Sequence, residues 1–171
     1  MKVKNIFSFV VLLGVLTFSC SKSSNNMTVT PTNTTFTATL NGASETPANA
    51  STATGTANFT YNPVTHILSG TLTFSGLTAI AAHIHNGALG VAGPVVFPLG
   101  SGSEAMPLTS PVNFTSVALT QQEINDLMAG SYYVNVHSPT YPNGEIRGQL
   151  VKVGSSSSST GNGSGNGSGG Y

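Results

Sequence analysis

Residues 54–75 read TGTANFTYNPVTHILSGTLTFS. In Thr54–Tyr61 the apolar Ala57 and Phe59 alternate with Thr56, Asn58 and Thr60, the period of two expected of a half-buried strand. Asn62-Pro63 supplies a turn, and His66–Ser75 gives a second strand that Gly76 ends. The same pattern continues on both sides. Upstream, Thr34–Leu40 alternates and stops at Asn41-Gly42, after which Glu45-Thr46-Pro47 opens a loop. Downstream, Ala79–His85, Pro94–Leu99, Val112–Ala118, Ser131–His137 and Glu145–Val153 each read as strands.

One segment breaks the rhythm. Thr120-Gln121-Gln122-Glu123 has the form of a capping box, and Leu119 and Ile124 occupy the two staple positions. Ile124, Leu127 and Met128 follow at helical spacing, and Gly130 can take a left-handed C-terminal cap, so a helix of about nine residues is expected. The predicted fold is all-β: a Greek-key β-sandwich or barrel of about eight strands with one short helix.

Composition narrows the function. Only 6% of the 171 residues are charged, five Lys+Arg against five Asp+Glu. No basic stripe exists to release phosphate counterions, which excludes nucleic acid as a partner. A single cysteine excludes a disulfide scaffold. Between residues 36 and 150 the one strong base, Arg147, faces Glu45, Glu104, Glu123, Asp126 and Glu145, a net charge of −4.

The termini read as address and spacer. Residues 1–19 have a basic start and a short apolar core, Ile6–Leu16, and Leu16-Thr17-Phe18-Ser19-Cys20 resembles a bacterial lipoprotein signal in which Cys20 is lipidated after cleavage. Residues 20–33 are a polar tether, and 154–171 a Gly/Ser tail with flexible-coil composition. The foldable domain is therefore expected at 34–153, held to a membrane in the cell envelope outside the cytoplasm.

Chemistry concentrates near a few strand ends. His83 and His85 flank Ile84, so strand geometry puts both imidazoles on one face, about 6.5–7 Å apart at Cβ. His137 closes Tyr133-Val134-Asn135-Val136-His137, on the same face as Tyr133 and Asn135. If the two strands are neighbours, the three rings can share an ion, and neutral imidazoles suit copper or zinc much better than magnesium or calcium. His66, after the Asn62-Pro63 turn, is a weaker metal candidate with the look of an exposed strand start. Arg147, in Gly144-Glu145-Ile146-Arg147-Gly148, reads either as half of a structural ion pair or as an anion-docking group beside a metal. The stretch Asn86–Pro94 is Gly-rich but lacks a phosphate loop's Lys-Ser/Thr, and is expected to be a mobile loop over the His-x-His end. No serine or threonine sits in a nucleophile elbow, which argues against hydrolase chemistry.

Five segments in order, Leu40–Pro47, Ala82–His85, Gly93–Val96, Tyr133–His137 and Gly144–Gly148, resemble the chordin-type (CHRD) domain of secreted and envelope proteins. The histidines and the late arginine are also similar to the copper site of copper–zinc superoxide dismutases, which are Greek-key barrels. That resemblance implies His83, His85 and His137 as copper ligands, with His66 as the remaining candidate, and Arg147 as the catalytic, anion-guiding group for superoxide or another small anion. No second site of histidines plus aspartate and no cysteine pair is present, so it implies a copper-only centre. The other functional reading is a non-catalytic envelope module for binding or adhesion, its protein partner unspecified.

Overall fold

The computed structural model describes residues 30–154. The expected signal segment, Cys20 and nearly all of the tether and Gly/Ser tail lie outside the described residues. Nine strands form: β1 (Thr34–Asn41), β2 (Thr54–Asn62), β3 (Ile67–Ser75), β4 (Ala81–Asn86), β5 (Val95–Ser101), β6 (Val112–Thr115), β7 (Tyr132–His137), β8 (Ile146–Gln149) and β9 (Val151–Lys152), with one α-helix, α1 (Gln121–Met128). All pairings are antiparallel. Their order is β5-β4-β7-β8-β1-β2-β3-β6, with β9 added beside β1. The sheet curls until its two ends approach, and Phe97 of β5 meets Phe114 of β6 with ring centroids 5.9 Å apart. The result is a near-closed Greek-key barrel, in agreement with the expected fold.

Local chemistry sets the turns. Asn62 Oδ1 accepts the Val64 and Thr65 amides at 2.8 and 3.1 Å, and His66 takes a positive φ of 59° to lead into β3. In α1 the capping box is complete: Thr120 Oγ1 accepts the Glu123 amide, and Glu123 Oε2 accepts the Thr120 amide at 2.7 Å. Gly130, at φ 73°, closes the other end as Gly130 N donates to Leu127 O and Ser131 N to Asp126 O, the paired bonds of a Schellman cap.

Alternation fills the core. Phe36, Leu40, Phe59, Leu68, Leu72, Ile84, Val134, Val136 and Ile146 point inward and are fully buried. Strand β7 is exceptional in being buried along its whole length. Tyr132, Val134 and Val136 face the core, whereas Tyr133, Asn135 and His137 face outward beneath loops. A polar layer therefore lies on the far side of β4, β7 and β8 from the apolar interior. Ile84→Val removes one methylene from the core side and is expected to cost about 0.5–1.5 kcal/mol. Denaturant unfolding measures this, and a cost near zero would contradict the burial of Ile84 in the core.

Candidate metal centre

The β4–β7 ladder sets Ala81 opposite His137, His83 opposite Asn135 and His85 opposite Tyr133. His137 is thus diagonal to His83 on the outward face, within reach of a side chain. On its other side β4 pairs with β5 through register shifts between Ala82 and His83 and between Ile84 and His85; such bulges re-aim side chains. The three rings converge. Centroids of His83 and His137 are 5.0 Å apart, those of His83 and His85 5.6 Å, and those of His85 and His137 6.0 Å. One ring nitrogen from each lies within 4.8 Å of the other two.

Backbone carbonyls decide which nitrogens face the centre. His85 Nδ1 lies 3.0 Å from Gly93 O, and His137 Nδ1 lies 3.0 Å from Pro142 O. A carbonyl only accepts, so each Nδ1 carries its proton and each Nε2 a bare lone pair. His137 Nε2 meets His83 Nδ1 at 3.1 Å. His85 Nε2 is buried with no hydrogen-bond partner, which costs on the order of 1–3 kcal/mol unless something fills the position. Three nitrogens bound to one ion at about 2.0–2.1 Å lie about 3.4 Å apart in a tetrahedral set, so a pair near the 4.8 Å limit must close by more than about 1 Å when an ion is shared. A ring whose other nitrogen donates to a carbonyl is the usual outer support of a metal-binding histidine.

Burial keeps the rings neutral, the state a metal needs. It is the main cause of the lowered pKa of all three. The prospective charge of His85 adds to it at His83, and the nearby charge of Arg147 adds to it at His85. At His137, burial and the two other imidazoles outweigh the Pro142 carbonyl.

Arg147 lies in the same outward layer, one strand beyond Asn135. It is 2% exposed. Its guanidinium carbon sits 3.4 Å above the centre of the Tyr133 ring, and the opposed strand neighbours Tyr133 and His85 stack with centroids 4.9 Å apart and planes 9° apart. Its terminal nitrogens donate to Thr46 Oγ1, Ala88 O and Val91 O. Gln149 Nε2 donates to Gly87 O, and Tyr133 Oη accepts the Gly93 amide. The Gly87–Gly93 loop, expected to be mobile, is instead fastened from beneath by these side chains and by His85.

The structure brings together His83, His85 and His137, with Arg147 placed behind Tyr133. It does not bring in His66, which is exposed at the β2–β3 turn and stacks on Tyr61 at 6.4 Å. Nor is the acidic partner of an Arg147 ion pair found among these hydrogen bonds. Sequence reasoning missed Gly93 and Pro142, whose contribution is a carbonyl, and gave Tyr133 and Asn135 only a face. Nitrogen-detected NMR of the metal-free protein at pH 7.5 should show His85 and His137 as Nδ1–H tautomers; Nε2–H tautomers would contradict the assignment. All three rings should titrate below the ordinary value of about 6.5. Because folding depresses these values, their contribution to stability is present above pH about 6.5 and lost as the pH falls through the folded midpoints.

Residues 36–150 match the CHRD domain family. No curated protein and no solved structure matches the chain significantly. The match spans the strands that carry all three histidines, the Gly87–Gly93 loop and Arg147, and the chain belongs to the CHRD domain family.

Proposed function

We propose that the domain binds one metal ion, copper in preference to zinc, at His83, His85 and His137 outside the cytoplasm, and that it removes superoxide. The observation that carries the reading is the buried, partnerless Nε2 of His85, held beside two further ring nitrogens by a carbonyl behind it. Three imidazoles leave a coordination position open to a small ligand. Copper, when bound, supplies one-electron redox chemistry by alternating between two oxidation states.

The chain's own residues provide the electrostatics. The stretch 36–150, with a net charge of −4, repels an anion at long range, so attraction must come from a local field. Arg147 is the one positive group in that layer, and its N–H groups already serve Thr46 and two carbonyls. It acts through its charge, transmitted past Tyr133, and not as an exposed hydrogen-bond donor. The same charge disfavours the more positive state of a metal beside His85 and so favours reduction. A lipid anchor at Cys20 would place the domain at the envelope, in keeping with the signal-like residues 1–20.

Calorimetric titration with copper or zinc at pH 7.5 should show one saturable site. His85→Ala should weaken it by more than the roughly 10–100-fold typical of a lost outer-shell partner. Binding that is absent, or unchanged in His85→Ala, would contradict the site. Copper-loaded protein should consume superoxide faster than free copper at equal concentration, and Arg147→Gln should slow it most at low ionic strength, where the field is least screened. Metal binding without such turnover would leave a non-catalytic metal-holding envelope module.

A further inference from the structure

Glu45 lies some ninety residues from the β7–β8 hairpin in sequence, and the fold brings its carboxyl against Asn135. Asn135 Nδ2 donates to Glu45 Oε2 at 3.5 Å, while Asn135 Oδ1 and Glu45 Oε1 are both buried with no partner. The two orphaned oxygens crowd one point. A Cβ on Gly144, whose φ is 134°, would lie 2.6 Å from Asn135 Oδ1 and 2.7 Å from Glu45 Oε1. Turning the amide over does not help: an ionised carboxylate facing an amide always leaves one carboxylate oxygen and the amide oxygen without a donor. One proton on the carboxyl satisfies both, as Oε1–H donates to Asn135 Oδ1 and Nδ2–H to Oε2. Orphaned buried acceptors are costly enough to select that state.

We propose that Glu45 is a proton-holding residue of the metal centre, kept as the neutral acid in a two-bond pair with Asn135 and ionised when a cation occupies the three histidines. The coupling rests on the metal reading above; the acid–amide pair does not. The geometry supplies the path, since Asn135 stands opposite His83 across the ladder and two residues from His137. Strand spacing puts the carboxyl on the order of 10 Å from an ion held by the rings. The groups facing Glu45 are Arg147 from β8, Asn135 from β7, the Thr46 amide, and Tyr141 and Asn143 across the cleft from the β7–β8 turn. Glu145 is engaged elsewhere, accepting from Ser51 Oγ at 2.6 Å. Burial raises the Glu45 pKa to about 7, against the opposing Thr46 amide, Arg147 charge and Asn135 amide. With Arg147 already buried beside it, a dication would leave three positive charges in one layer, and release of the Glu45 proton removes one of them.

Glu45→Gln mimics the neutral acid and keeps both bonds, so it should fold. Because folding raises this carboxyl's pKa, wild type should lose stability relative to Glu45→Gln as the pH rises from about 4.5 to about 7. In the metal-free protein, carbon-detected NMR should show Glu45 titrating near 7, and saturation with zinc should lower that midpoint by about one to two pH units. Zinc calorimetry at pH 6.5 in buffers of different ionisation enthalpy should show more proton release from wild type than from Glu45→Gln. Titration of Glu45 in the ordinary carboxylate range overturns the acid–amide pair. Zinc binding with equal proton release from both proteins overturns the coupling and leaves the metal site standing. No zinc binding, with Glu45 still titrating near 7, overturns the metal reading and the coupling with it, and supports the pair alone.

Discussion

The hydrogen bond from His85 Nδ1 to Gly93 O fixes the chemistry of the outward face. An imidazole has one proton to place when neutral, and a carbonyl takes it on the side away from the centre. The lone pair then points into a buried space where no donor of the protein reaches it. The Pro142 carbonyl does the same for His137. Two loop carbonyls and the alternation of two neighbouring strands thus suffice to aim nitrogens at one point. The rest of the layer is organised around keeping those carbonyls in place.

Arg147, Gln149 and Tyr133 do that work on the Gly87–Gly93 loop. A buried guanidinium with hydroxyl and carbonyl partners is an expensive group, because its charge is desolvated without an opposite charge in hydrogen-bonding contact. The compensation is partly the face of Tyr133, whose quadrupole attracts a cation. The remaining positive potential is carried into the site. The loop's tip stays open to solvent, with Leu89 80% exposed, so the fastening holds the two legs of the loop, at Gly87 and Ala88 and at Val91 and Gly93.

Much of this was legible in the amino-acid order. Period-two alternation revealed the strands and put His83 and His85 on one face of theirs and His137 opposite the valines of its own, while the adjacency of β4 and β7 that joins the three comes from the sheet order. The capping residues of α1 were readable because a cap is a local bond between side chain and backbone three residues apart. What stayed hidden depends on chain reversals. The run Glu145–Val153 reads as one strand, yet it divides at Leu150: the Leu150 amide makes the last bond of the β7–β8 ladder, to Tyr132 O, and the residues beyond it pair with β1. The run Val112–Ala118 stops at Thr115, because Ser116 Oγ accepts the Leu68 amide in place of a ladder bond. The burial of Arg147 follows from a covering loop some sixty residues away in sequence, and nothing in the pattern around Gly144–Gly148 announces it. A carbonyl from Gly93 or Pro142 has no side-chain signature at all.

The most direct test is a crystal structure of the protein loaded with one equivalent of copper, with anomalous scattering recorded at the copper edge. The account predicts a single peak bonded to His85 Nε2, His137 Nε2 and one nitrogen of His83 at about 2.0 Å, with the carbonyls of Gly93 and Pro142 still accepting from the far side of their rings. A peak elsewhere on the domain, with His85 Nε2 turned away or left without a ligand, would contradict it.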